Sequence, residues 1–226
     1  MKKMLCCVLF ALVFFSHAVL HAKEYPVYRF SRPPVIDGKL DDRVWKKLPE
    51  GRGFLALSGK NSYAKERMTK FRIGWHGDRL YLAVECGEAD LRNIKAVESY
   101  RDGWSMDDAV ELFFLPRGKE RFMQLLVNAR GARWAKEQGA ERETEPPMDW
   151  IVAAGRTGDA WTLEMSIPLR FLGADTLDGM RFNIGRNMPS GSRGEKHACW
   201  APVLRGFADA EHFAPLQPLQ PREAGG

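Results

Sequence analysis

Glu111 stands in the middle of an apolar run, DDAVELFFL (107–115), and Trp104 precedes that run in the stretch DGWSMDDAVELFF. In an extended segment successive side chains point to opposite faces. Val110, Leu112 and Phe114 then share a core-facing side, while Ala109, Glu111 and Phe113 share the other. A carboxylate on a sheet face accepts charge-assisted hydrogen bonds. A loop indole beside it supplies flat apolar area at low entropic cost. The pair could hold a polar ligand with an apolar flank; the alternative is a solvated strand face below a packed loop ring. RFMQLLVN (121–128) alternates in the same way, with Met123, Leu125 and Val127 on one side and Phe122, Gln124, Leu126 and Asn128 on the other. If the two runs are neighbours, Gln124 or Asn128 stands beside Glu111.

The elements that would position these residues are strands. Further alternating or apolar runs occur at 70–75, 79–86, 150–155, 160–167, 180–187 and 197–203. HGD (76–78), PRGK (116–119), NARGAR (128–133), RTGD (156–159) and PSGSRG (189–194) supply turn chemistry between them. Two short helical turns are expected: DDRVWKK (41–47) with an aspartate cap, and PLRFL (168–172) with proline at its start. Many short strands without a long amphipathic helix predict an all-β, antiparallel β-sandwich of jelly-roll type. Trp45, Trp75 and Trp161 follow core periodicity, whereas Trp134, Trp150 and Trp200 have no evident place. PLQPLQPREAGG reads as a fraying end, with 23–220 as the domain and 221–226 as the tail proper.

The opening MKKMLCCVLFALVFFSHAVLHA has a basic start, an apolar stretch and a small-residue exit, the pattern of a secretory signal peptide cleaved after Ala22. That predicts a secreted or periplasmic protein, and no later segment is apolar enough for a transmembrane helix. Net charge is then +3 rather than +5, because Lys2 and Lys3 leave with the signal and no acid does. This is no footprint for nucleic acid. Cys86 and Cys199 remain; they could pair in an oxidising compartment, or both could be small core residues, which the alternation Leu80, Leu82, Val84, Cys86 favours.

Catalytic signatures are missing. HExxH, a G-x-S-x-G elbow and a phosphate loop do not occur. The three histidines and two cysteines left after removal of the signal, at unrelated spacings, make no zinc site. Glu111 could be paired with Asp107 or Glu164 for glycoside hydrolysis, but no spacing selects a pair. Asp107 and Asp108 are expected to cap a turn or hold a cation.

Taken in order, RPPVIDGKLDDRVWKKLP (32–49), FRIGWHGDRLYLAVECGEADL (71–91), WSMDDAVELFF, LLVNARGARW (125–134), AWTLEMSIPLRFLG (160–173), MRFNIGRNM (180–188) and CWAPVLRGFADAEHFAPL (199–216) resemble family 9 carbohydrate-binding modules. The resemblance implies a β-sandwich that grips the end of a sugar chain between two aromatic rings, with polar side chains reaching its hydroxyls. Trp104 matches the first ring, and Phe207 stands at the place of the second. Glu111 matches the hydrogen-bonding glutamate, Asn128 an asparagine on the neighbouring strand. Leu126 departs from the pattern, replacing an arginine, and one extra residue separates Trp104 from Glu111.

The implied role is non-catalytic binding of an oligo- or polysaccharide in polysaccharide degradation, since relatives are often joined to glycoside hydrolases. The resemblance also makes structural calcium a candidate ligand, with the GEAD loop (87–90) as one contributor. Two alternatives stay open. The same fold could serve as an extracytoplasmic interaction domain, or it could bind haem through residues such as Met68, Met106, Met123, Met188, His76 or His197.

Overall fold

The computed structural model describes residues 23–57, 68–88, 90–100, 106–140, 148–190, 196–203 and 205–220. The expected signal peptide, the 221–226 tail and Trp104 lie outside the described residues. The strands are β1 (Tyr25–Arg29), β2 (Leu55–Ala56), β3 (Thr69–His76), β4 (Arg79–Gly87), β5 (Ala109–Leu115) and β6 (Phe122–Asn128). They continue with β7 (Arg133–Gln138), β8 (Ile151–Arg156), β9 (Ala160–Pro168), β10 (Arg181–Asn187), β11 (His197–Cys199) and β12 (Ala214–Leu219). One layer runs β7-β6-β5-β10-β12, with β11 attached to β10 and β2 to β11; the other runs β1-β3-β4-β9-β8. The expected β-sandwich is the fold that forms.

Its pairings are antiparallel except around β1, which runs parallel to both β12 and β3. β12 joins the layers, bonding β10 through Ala214 and Pro215 and β1 through Leu216–Leu219. The first five residues of the stretch expected to fray, 215–219, therefore belong to a strand. Each half of β12 has a neighbour on one side only, so Pro215 and Pro218 are tolerated as they would be on an edge.

The core lies between the layers. Val110, Leu112 and Phe114 with Met123, Leu125 and Val127 pack against Leu80, Leu82, Val84 and Cys86 of β4 and Trp161, Leu163, Met165 and Ile167 of β9. The sequence alternation anticipates this inward set. Trp45, Trp150, Trp161 and Trp200 are buried, and Trp75 packs partly buried against the core. Arg186 points inward as well, fully buried, its guanidinium 4.4 Å from the Trp161 ring centre.

The outer face of β9 is closed by the chain that precedes β2. Glu164 accepts hydrogen bonds from the amides of Asp37 and Gly38 at 2.9 Å each and from Trp45 Nε1 at 2.7 Å. Gly38 has φ of +85°, and a Cβ there would stand 2.7 Å from the Ala154 backbone, so this corner requires glycine. The helical turn α1 (Arg43–Lys46) presses Trp45 against Phe30, Leu48, Tyr81 and Ala83. Asp42 occupies the position before α1, yet its carboxylate does not cap it; Oδ2 accepts from the Val35 amide at 2.9 Å. The second expected turn forms as a 3-10 helix, Leu169–Leu172.

Cys86 and Cys199 are free thiols, both buried. Burial pushes each thiol up to about 11, so the reactive thiolate is scarce near neutrality. In the folded protein both should resist iodoacetamide at neutral pH, and both should be alkylated once it is denatured. Mass spectrometry of the labelled protein checks this.

Candidate functional site

With the outer face of β9 covered, the face of the other layer is where polar strand residues reach an opening. β5 lies between β6 and β10, with Glu111 opposite Leu126 on one side and Gly185 on the other. Glu111 is only 6% exposed, so it does not belong to a solvated face. It accepts from Gln124 Nε2 at 2.7 Å and from Asn187 Nδ2 at 2.5 Å. Gln138 Nε2 donates in turn to Gln124 Oε1 at 2.6 Å. A carboxylate only accepts, so Asn187 turns its amide nitrogen to Glu111 and its oxygen away. That oxygen lies 2.8 Å from His197 Nδ1, which is therefore the protonated ring nitrogen.

Burial raises the Glu111 carboxyl above the usual range, partly offset by donation from Asn187 and Gln124 and by the nearby His197 ring. Each of its oxygens keeps a second lone pair for an incoming donor.

A cavity of about 550 Å³ opens over this network, lined among others by Glu111, Phe113, Gln124, Asn187, His197 and Phe207. Phe207 comes from the loop after β11 and lies directly over Gly185. A Cβ at Gly185 would fall 2.5 Å from the ring, so the glycine is the recess in which the phenyl sits. Asn183 Nδ2 donates to the Phe207 carbonyl at 3.4 Å, and His197 meets the ring edge-on at 6.1 Å. Gly185→Ala is expected to evict the ring and remodel this wall without touching the inner core. Comparison of amide spectra should show perturbation confined to the loop around Phe207 and to β5 and β10.

Three of the residues singled out from sequence thus meet here: Glu111, Gln124 and Phe207. Asn128 does not. It is fully buried, with Nδ2 donating to the Val97 carbonyl and to Asp107 Oδ2 at 2.8 Å each. Its Oδ1 accepts from the amides of Arg130 and Ala132 at 3.0 Å each, closing the turn between β6 and β7. Leu126 is sealed with Tyr100, Ala109, Ala132 and Trp134. Asn187 is the participant that sequence reasoning left out, and His197 entered it only as a candidate haem ligand. The signal for Asn187 was available, because Asn183, Gly185 and Asn187 alternate with the core residues Phe182 and Ile184.

Asp107 fastens the neighbouring loop through Oδ2, which accepts from the Val97 amide, Tyr100 Oη and Asn128 Nδ2 at 2.8 to 3.0 Å. Asp90 of the acidic loop is likewise engaged locally, by Arg92 and Asn93. Ligand atoms of Asp209, Glu211 and His212 lie within 4.8 Å of one another. One imidazole with two carboxylates is a poor match to the all-oxygen shell calcium prefers. Glu164 is committed to the corner at Gly38, so it is not paired with Glu111 across a cleft.

The model of one family, described as carbohydrate family 9 binding domain-like, matches residues 36–216. The chain belongs to that family. No curated protein matches it. Among solved structures it is similar to a protein from Bacteroides uniformis ATCC 8492, at 19% identity and a TM-score of 0.69 over 87% of this chain and 99% of that one. It is also similar to a family 9 carbohydrate-binding module from Caldicellulosiruptor kristjanssonii in complex with glucose, at 18% identity and a TM-score of 0.64, covering 89% and 98% of the two chains. The same organism's module in complex with cellotriose gives 18% identity and 0.63 over 90% and 97%. At these identities the likeness establishes the fold.

Proposed function

We propose that this family 9 domain binds saccharides without transforming them, in the cavity above Glu111, as an exported protein serving polysaccharide degradation. The observation that carries the proposal is a buried carboxylate, held by two amides and left with free lone pairs, beside an apolar ring that stands on a glycine. A pyranose has an apolar C–H face for Phe207 and a rim of hydroxyls for Glu111, Gln124 and Asn187. The neighbours bound to glucose and to cellotriose support sugars as the ligand class. A few short-range polar contacts and one ring correspond to micromolar to millimolar dissociation constants, about −8 to −4 kcal/mol.

One observation favours a second reading, in which the fold serves as an interaction domain. Where sugar-binding members carry an arginine, Leu126 is buried in an apolar cluster. Titration of glucose, cello-oligosaccharides and a broad glycan panel, followed by tryptophan fluorescence, separates the two. A saturable response that disappears in Trp104→Ala, while the unfolding transition is retained, supports sugar binding. Silence across the panel overturns it in favour of the interaction domain.

A further inference from the structure

A row of polar side chains crosses the cavity-bearing layer from β7 through β6, β5 and β10 to β11. Gln138 Nε2 donates to Gln124 Oε1 at 2.6 Å, and Gln124 Nε2 to Glu111 at 2.7 Å. From the other side His197 Nδ1 donates to Asn187 Oδ1 at 2.8 Å, and Asn187 Nδ2 to Glu111 at 2.5 Å. Every donor in the row thus points toward Glu111. Register produces the outer link: Lys136 stands opposite Gln124 on β7, and Gln138 is the diagonal neighbour on the same face. Glu111, Gln124, Asn187 and His197 line the cavity. Gln138 stands behind Gln124, outside that lining.

Glu111 by itself turns the Gln124 nitrogen inward, but it leaves the far end of a long side chain to be ordered. Ordering such a side chain when a ligand arrives weakens binding. Gln138 takes the Gln124 oxygen beforehand, and donation to an amide oxygen also polarises the N–H on the other side. Gln124 then offers the cavity only its second N–H, so a hydroxyl placed there accepts from the amide and donates to Glu111. We propose that Gln138 is a positioning residue for saccharide binding: without touching the sugar, it holds the Gln124 amide in the orientation that receives a hydroxyl. This inference rests on the saccharide reading of the cavity and adds a residue that sets affinity from behind it.

Calorimetric titration of cellotriose into the full protein and three variants tests it. Gln138 is partly exposed, so all three should fold. Gln138→Leu removes the donor at similar size and should weaken binding about three- to tenfold, the effect of leaving one long side chain to be ordered. Gln138→Glu keeps the shape but sets a second carboxylate against Gln124, competing with Glu111 for Nε2, and should weaken binding about tenfold or more. Gln138→Lys restores a donor without an acceptor and should return affinity to within about twofold of the parent. In the ligand-free protein, the side-chain amide resonance of Gln124 should move in Gln138→Leu while that of Asn187 stays in place. A merely structural role would lower stability and leave the affinity of the folded protein alone. If Gln138→Leu binds cellotriose as well as the parent does, or if Gln138→Lys recovers nothing, the inference is overturned while saccharide binding stands. If the parent binds neither cellotriose nor any member of the wider glycan panel, the saccharide reading fails and this inference falls with it.

Discussion

Glu164→Ala is expected to lower the free energy of unfolding by about 3–5 kcal/mol, since it strands three inward-facing donors that cost about 1–3 kcal/mol each when unsatisfied. Those donors are the amides of Asp37 and Gly38 and the indole nitrogen of the buried Trp45. For a domain of this size the loss corresponds to a fall of about 10 °C in melting temperature. Glu164→Gln keeps one acceptor oxygen, so its loss should be intermediate. Denaturant unfolding of the two variants checks the order. Because Glu164 lies on the covered face of the other layer, surviving folded protein should still bind ligand normally.

The second large effect is on binding. Glu111→Ala removes the charged acceptor from the cavity and leaves the amides of Gln124 and Asn187 without their shared partner. Hydrogen bonds to a charged group contribute about 1.5–3 kcal/mol, so affinity should fall about 10- to 150-fold. Acidity gives an independent check. Burial holds the Glu111 carboxyl above its ordinary range, so it gains a proton on acidification earlier than an exposed glutamate would. Sugar affinity should therefore weaken as pH falls through that raised value, and Glu111→Gln should flatten the profile at lower overall affinity. Folding carries the opposite sign. The raised carboxyl favours the folded state below the ordinary glutamate pKa, and that contribution is lost as pH rises through the folded value.

The period of the sequence revealed faces but not neighbours. Alternation placed Val110, Leu112 and Phe114 inward and put Glu111 and Gln124 on one outer face, since side-chain period is a local property of the chain. It could not show that β10, some seventy residues later, pairs with β5 and brings Asn187 to Glu111. The contact between Phe207 and Gly185 is of the same long-range kind. Asn128 and Gln124 looked interchangeable by alternation alone. Register placed Asn128 opposite Ala109 at the turn, where its amide closes the loop, and Gln124 opposite Phe113 beside the cavity. Residue type alone gives no hint that Arg186 turns inward, where it stacks on Trp161. Proline misled at β12, because the transfer of its pairing from one layer to the other was invisible.

The most direct test follows the side-chain amides by nuclear magnetic resonance while cellotriose is added to the folded protein. The account predicts saturable shifts of the Gln124 and Asn187 amide groups with a single dissociation constant, and an unmoved signal from Asn128. Shifts that spare Gln124 and Asn187 while appearing elsewhere would place the sugar in another part of the molecule and contradict it.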